Sequence, residues 1–354
     1  MLVETDIHNK IEASILCGIY GDAFGVPFEL WSSEFMQKKI KEIINKEDYI
    51  IDNNNNKIIN KLVKTHKNDF IGQYSDDSEM VLATIDSIIT NCGINNNLLK
   101  TFQKLYSAHR GYGSNTEKIL RGEILIDENQ NMISTSNGGL MRISPIAFWN
   151  FYSESFELER DIINDLKTTN HDSQESIQTC LLFSKIIIHF LNIKSHDNIQ
   201  DFIMFIKNTI NDQKFNLIND PVMDVINSFL NNQNELAIIH TLEVYSTNCI
   251  ITIQKVLNAF LFHYNEPNMM IPYVNSYGGD TDTHCNLIGT LIGARDGMNQ
   301  NDMLNSSIIS KSEIEKIENY EKIKLLINEF TNIVIMRYKN LIDVKKTEIN
   351  YYGL

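Results

Sequence analysis

The run 284–297, HCNLIGTLIGARDG, constrains this chain more than any other, because it sets glycines at 289, 293 and 297 within an apolar helical stretch. Residues four apart share one face of a helix, and glycines there let a second backbone approach closely. The helix is therefore expected to lie buried against a neighbour, with its N-terminus turned inward. Only five prolines occur in 354 residues, and helical periodicity marks 80–89, 177–191, 222–230, 249–262 and 314–338. These segments would pack as layers of a bundle. With 43% hydrophobic residues the chain can fill one large core, and no linker or repeat divides it. The expected class is all-α, one compact domain over 1–354, with a C-terminal helical segment at about 312–345 packed on a core spanning about 11–300.

Charge and cysteine usage narrow the function classes. The 31 Lys and Arg against 45 Asp and Glu give a net charge of −14, which argues against nucleic-acid binding, since phosphate binding needs a basic face. Five unpaired-looking cysteines, none in a C-x-x-C, argue against a disulfide framework or zinc knuckle and fit a reducing compartment. The N-terminus has no basic leader region, and no apolar run reaches the roughly 18 residues that span a bilayer. A soluble, intracellular, cytoplasmic monomer with no membrane partner is expected. The polar tracts 52–56, 127–131 and 231–234 read as surface loops or insertions.

Two clusters carry the chemistry. Tyr74-Ser75-Asp76-Asp77-Ser78 precedes the apolar run from Met80, and Gly278-Gly279-Asp280-Thr281-Asp282-Thr283 opens the glycine-bearing helix. Taken singly, each is a good helix cap, since hydroxyls and carboxylates satisfy the free N–H groups of a helix start. Taken together, four carboxylates on an inward-facing helix end need a counter-charge, and few Lys or Arg flank them. Oxygen ligands without His or Cys select Mg²⁺, Mn²⁺ or Ca²⁺ over zinc, and two such groups could hold a pair of ions. Gly18, Gly21 and Gly25, before Val26-Pro27-Phe28-Glu29, predict close helix packing and a loop with special backbone angles. The turns 110–116 and 136–145 carry glycines whose N–H groups could cradle phosphate, or are ordinary loops.

In combination and in order, GDAFGVPFE at 21–29, YSDDSEM at 74–80, GYGSNT at 111–116, NGGLMRISPI at 137–146 and GGDTDT at 278–283 resemble the ADP-ribosylglycohydrolase family. That class includes the dinitrogenase reductase-activating glycohydrolase and the ADP-ribosyl-acceptor hydrolases. The resemblance implies a compact all-α orthogonal bundle with two Mg²⁺ ions in a cleft, Mn²⁺ being a possible substitute. It places metal ligands at Ser75, Asp76, Asp77, Asp280, Asp282 and Thr283, Ser75 standing where threonine is more usual. It places ADP-ribose contacts at Gly111, Gly113, Ser114, Asn137, Gly138, Gly139 and Met141. His171 matches a Thr-His step imperfectly, and its other reading is a solvent-exposed loop histidine. Asp77, Asp282 and Glu29 are the implied catalytic carboxylates, Glu29 as a mobile acid or base.

The implied activity is Mg²⁺-dependent hydrolysis of the N- or O-glycosidic bond between ADP-ribose and a modified protein side chain or related conjugate, releasing ADP-ribose. The alternatives are a metal-dependent ADP-ribose phosphohydrolase, a non-catalytic ADP-ribose-binding relative, and a helical interaction scaffold. The Asn-rich stretch 52–60 is either a specificity flap or a surface insertion.

Overall fold

From the N-terminus, α1 (Leu2–Gly25) is followed by α2 (Asp76–Asn91), α3 (Leu98–Leu105), α4 (Ser114–Leu120), α5 (Ser144–Trp149), α6 (Ser155–Lys167) and α7 (Gln174–Asn192). Then come α8 (Ile199–Ile210), α9 (Asn219–Leu230), α10 (Leu236–Ile239), α11 (Cys249–Phe262), α12 (Pro267–Ser276), α13 (Thr281–Asp296), α14 (Lys311–Ile314) and α15 (Tyr320–Tyr352). The structure, a computed structural model, describes residues 2–32, 72–94, 97–124, 133–153, 155–193, 198–231, 236–239, 241–298, 309 and 311–352. Among the described residues there is no strand, only an isolated bridge between Ser136 and Asn248. The fold is all-α, as expected. The tracts 52–60, 127–131 and 232–234 lie outside the described residues.

The glycines decide the architecture. α1 and α13 run antiparallel with their backbones in direct contact. A Cβ at Gly289 would stand 2.2 Å from the Cys17 carbonyl oxygen, and one at Gly293 2.4 Å from that of Ala13. The reciprocal glycines lie on α1, where a Cβ at Gly21 would stand 2.0 Å from the Cys285 oxygen and one at Gly25 2.4 Å from the Thr281 oxygen. Paired glycines at this spacing admit contact closer than any side chain allows, and the Ser14 hydroxyl donates to the Thr290 carbonyl at 2.7 Å across it. The antiparallel sense brings the end of α1 beside the start of α13.

Three expectations change in detail. Gly297 lies past the helix face: it caps α13 at φ +66, donating its N–H to the Gly293 carbonyl. The segment 18–25 is uninterrupted helix with no positive φ, and the special backbone angle falls instead on Leu30, at φ +66. The periodic run from 314 is split, because Asn319 at φ +60 breaks it and α15 starts at Tyr320.

Around the α1–α13 pair, α7 and α11 stack Phe183, Ile187, Ile253, Val256 and Phe260, all fully buried, and α15 closes α1 and α2 with Ile327 and Phe330. A smaller apolar cluster of Met80, Ala83, Leu98, Phe102, Leu120 and Met141 joins α2 to α3 and α4. All five cysteines are free thiols, and only Cys92 is exposed. Among the described residues no helix is long and apolar enough to cross a membrane.

Candidate active site

The first cluster is built on a buried carboxylate that belongs to neither cluster. Asp22, in the last turns of α1, is fully buried and accepts the Ser75 N–H at 2.9 Å and the Ser78 N–H at 3.0 Å, as well as the Ser78 hydroxyl. Ser75 caps α2 in extended geometry, its Oγ accepting the Asp77 N–H at 3.2 Å. Free N–H groups of the helix start are thus satisfied by Asp22 and Ser75, while the Asp76 carboxylate takes only its own N–H. Asp76 and Asp77 are both buried.

The second cluster is held by backbone. Gly278 and Gly279 sit at φ +70 and +80, and a Cβ on Gly279 would collide with the Val244 carbonyl. Leu30 donates its N–H to the Gly279 carbonyl at 2.8 Å, and Gly279 donates to the Trp31 carbonyl at 2.8 Å. This double clasp sets the exposed Glu29 beside Asp280. Asn137 Nδ2 donates to Asp280 Oδ2 at 2.7 Å, and the Thr283 N–H donates to Asp282 Oδ1 at 2.9 Å. Asn286, one turn into α13, joins the clusters: its Nδ2 donates to Asp77 Oδ2 at 3.3 Å and to the Met141 carbonyl at 3.2 Å.

These groups act on one another. Burial first, then the charge of Asp22, pushes the carboxyls of Asp76 and Asp77 well above the usual range, and Asp280 adds to both. Asp282 is raised well above it by burial, then by Asp280, Asp77 and Glu29. Glu29 is raised by partial burial, then by Asp280 and Asp22. Among the described residues no ion pair reaches Asp22, Glu29, Asp76, Asp77, Asp280 or Asp282. The neighbouring cations make their close contacts elsewhere. Lys255 donates to the Val244 carbonyl at 2.9 Å and is pulled down to about 8 by burial, against the attraction of Asp280 and Glu243, so its charge reaches the cluster through Asp280. Arg110 lies over the Tyr74 ring and pairs with Glu79 and Glu318.

The donor set fits a hard divalent cation in its chemistry: carboxylates with the hydroxyls of Ser75 and Thr283, and no ion pair to the carboxylates among the described residues. Among the described residues, no three Asp, Glu, His or Cys side chains are already gathered about one point as a ready cage.

The glycine turns divide. Gly111, at φ +92, is exposed and lies beside the Asp76 carboxylate, while Gly113 and Ser114 face open space at the start of α4. Glu79 anchors this loop by accepting the Ser107 N–H and the Tyr112 hydroxyl, both at 2.8 Å. Gly138 and Gly139 answer to packing, for a Cβ at Gly138 would lie 2.6 Å from His171 Nε2 and one at Gly139 2.0 Å from Leu166. Asn137 spends its amide hydrogens on Asp280 and on Thr252, at 3.0 Å. Its place is that of a carboxylate holder. Met141 is buried in the smaller cluster. His171 is no exposed loop residue: it is 4% exposed, and burial pulls it down to about 3, so it is neutral.

Sequence reasoning passed over Asp22, Glu79 and Arg142. Asp22 had a signal, a lone carboxylate amid Ile19, Tyr20, Ala23 and Phe24. Arg142, fully buried, had none beyond its place in the motif.

The sequence matches the ADP-ribosylglycohydrolase family over residues 3–338. A comparison with curated proteins finds no match. Among solved structures, the fold is similar to an ADP-ribosylglycohydrolase-related protein complex, with a TM-score of 0.58 at 14% identity, covering 93% of this chain and 99% of that one. Five ordered motifs, an all-α fold around two facing helix starts, and a match over nearly the whole length agree: the chain belongs to the ADP-ribosylglycohydrolase family, glycosidases that act on ADP-ribosyl linkages.

Proposed function

We propose that this chain is a Mg²⁺-dependent hydrolase that releases intact ADP-ribose from an N- or O-linked conjugate, using a binuclear metal site. The observation that carries the reading is that Asp76, Asp77, Asp280 and Asp282, at two helix starts, act on one another's charge with no ion pair to any of them among the described residues. Ser75, Asp76, Asp77, Asp280, Asp282 and Thr283 would hold the ions. When bound, the ions supply the missing positive charge and Lewis acidity towards hydroxyl oxygens.

The chain's own residues perform the remaining work. Asn137 and Asn286 fix Asp280 and Asp77, so the carboxylates are oriented before ligand arrives. The open loop at Gly111, Gly113 and Ser114 offers backbone N–H groups to the diphosphate. In hydrolysis the bond from C1″ to the acceptor atom breaks with its electron pair leaving on the acceptor, and water oxygen bonds to C1″. Carboxylates near C1″ stabilise the positive character that develops there. Glu29, exposed at the end of the clasp beside Asp280, takes the proton from water or delivers one to the departing acceptor. The family match over 3–338 supports a single domain, with the segment carrying Glu318 as part of the same unit.

The test is product analysis on arginine-linked, serine-linked and poly-ADP-ribosylated substrates, with Mg²⁺ and with EDTA. Intact ADP-ribose that EDTA abolishes supports the reading. AMP as product moves the chain to phosphohydrolysis, and binding without release makes it a reader.

A further inference from the structure

The C-terminal part of the chain reaches the candidate site through one buried arginine. Between α14 and α15 the chain turns at Asn319, φ +60, instead of running on as helix. Backbone contacts pin this turn: a Cβ on Gly72, at φ +70, would stand 2.0 Å from the Lys316 carbonyl oxygen, and the Glu318 N–H donates to the Gly72 carbonyl at 2.9 Å. Glu318 Oε2 is thereby set 3.0 Å from Arg110 Nη1. Arg110 is 7% exposed. The same Nη1 donates to the Tyr74 carbonyl at 2.7 Å, the guanidinium lies 4.0 Å over the Tyr74 ring, and Nε stands 3.5 Å from Glu79 Oε2. Tyr74 directly precedes Ser75, Asp76 and Asp77, and Gly111 directly follows Arg110. A guanidinium is a rigid plane, so contacts in fixed directions on Tyr74, Glu79 and Glu318 hold the backbone at 110–112 in one place relative to 74–77. That spacing is tight, since a Cβ on Gly111 would lie 4.0 Å from Asp76 Oδ1.

We propose that Arg110 and Glu318 are positioning residues: the turn at 316–319, acting through Arg110, sets the separation between the loop at 111–114 and the carboxylates that open α2. A ligand that must meet both, diphosphate on the loop and ribose hydroxyls at the carboxylates, then finds them already spaced. Neither side chain touches the ligand. This rests on the function proposed above.

Calorimetric titration of the full chain with two probes tests it. ADP-ribose in saturating Mg²⁺ should bind Glu318→Ala about five- to tenfold more weakly, the scale of one lost charged contact. Mg²⁺ alone should bind this variant as it binds wild type, because Asp22 and Ser75 still hold the start of α2. Glu318 is half-buried, so the variant is expected to fold. Arg110→Lys keeps the charge but has no fork to span the Tyr74 carbonyl and Glu318, and should show the same split between the probes. The double variant should lose no more than the larger single loss. Glu321→Gln, at an exposed carboxylate in the first turn of α15, is the control and should bind both probes as wild type does. ADP-ribose bound at wild-type strength by Glu318→Ala, with a lowered urea midpoint as the only change, makes the contact purely structural and overturns this inference alone. Equal losses for Mg²⁺ and ADP-ribose also overturn it. A wild-type chain that binds no ADP-ribose overturns the proposed function and the ligand named here together.

Discussion

Gly21→Ala is the sharpest probe of how the site is assembled. The new Cβ would lie 2.0 Å from the Cys285 carbonyl oxygen and 2.6 Å from its carbon, where ordinary contact begins near 3.4 Å. α1 and α13 would have to part locally by about 1.4 Å, the difference between 3.4 and 2.0 Å. Both partners are backbone, so no side chain can swing away. Overpacking of this kind costs about 3 kcal/mol. Alanine returns about 1 kcal/mol in helix propensity, which leaves a net loss of about 2 kcal/mol. Urea denaturation reads this as a lowered midpoint at unchanged slope. Gly113→Ala, with nothing within 4 Å, is the control and should move stability by no more than about 0.5 kcal/mol. Asp22 adjoins Gly21, so parting the helices also draws it away from Ser75 and Ser78, and turnover should fall more than stability does. A wild-type midpoint for Gly21→Ala would refute the close helix pairing.

Three further outcomes follow from the same geometry. Asp77→Asn or Asp282→Asn should abolish ADP-ribose release and the stabilisation by Mg²⁺, which at a hundredfold excess over its Kd amounts to about 2.7 kcal/mol per site, while circular dichroism stays unchanged; wild-type turnover at limiting Mg²⁺ would sink the assignment. Because Asp76, Asp77 and Asp282 are raised above the unfolded value of 3.8, the folded chain holds protons that the unfolded chain releases. Their contribution to stability is complete below that value and is lost as pH rises through the folded ones, so the melting temperature in EDTA should fall as pH rises above 3.8, less so in Asp77→Asn; a flat or rising profile contradicts this. Arg142→Met leaves Asp165 charged and unpaired at 0% exposure, a loss of about 3–5 kcal/mol in denaturation, and near-wild-type stability would contradict the buried pair.

The all-α class was legible in the scarcity of proline and the helical periodicity of several segments, and the close approach of a second backbone in the spacing of Gly289 and Gly293, since four-residue periodicity maps directly onto a helix face. What the glycines of α13 touch was not legible, because the answering glycines at 21 and 25 lie more than two hundred residues away and long-range pairing leaves no local trace. The two acidic clusters were visible as helix starts, but only the fold shows Asn286 joining them. Asn137 and His171 illustrate the harder case. Motif position marks both, yet their roles depend on which partner each polar atom finds, and that is fixed by Thr252 and Asp280 for Asn137 and by Ser136 for His171, all arriving from other parts of the chain. Gly297 misled because a helix face and a helix cap both favour glycine, for different reasons.

The central claim is that the carboxylates of two facing helix starts share a pair of divalent cations. Crystals grown with Mn²⁺ and measured at its absorption edge test this directly. Two anomalous peaks are expected between Asp76 and Asp77 on one side and Asp280 and Asp282 on the other. Peaks elsewhere, or none at saturating Mn²⁺, would contradict it.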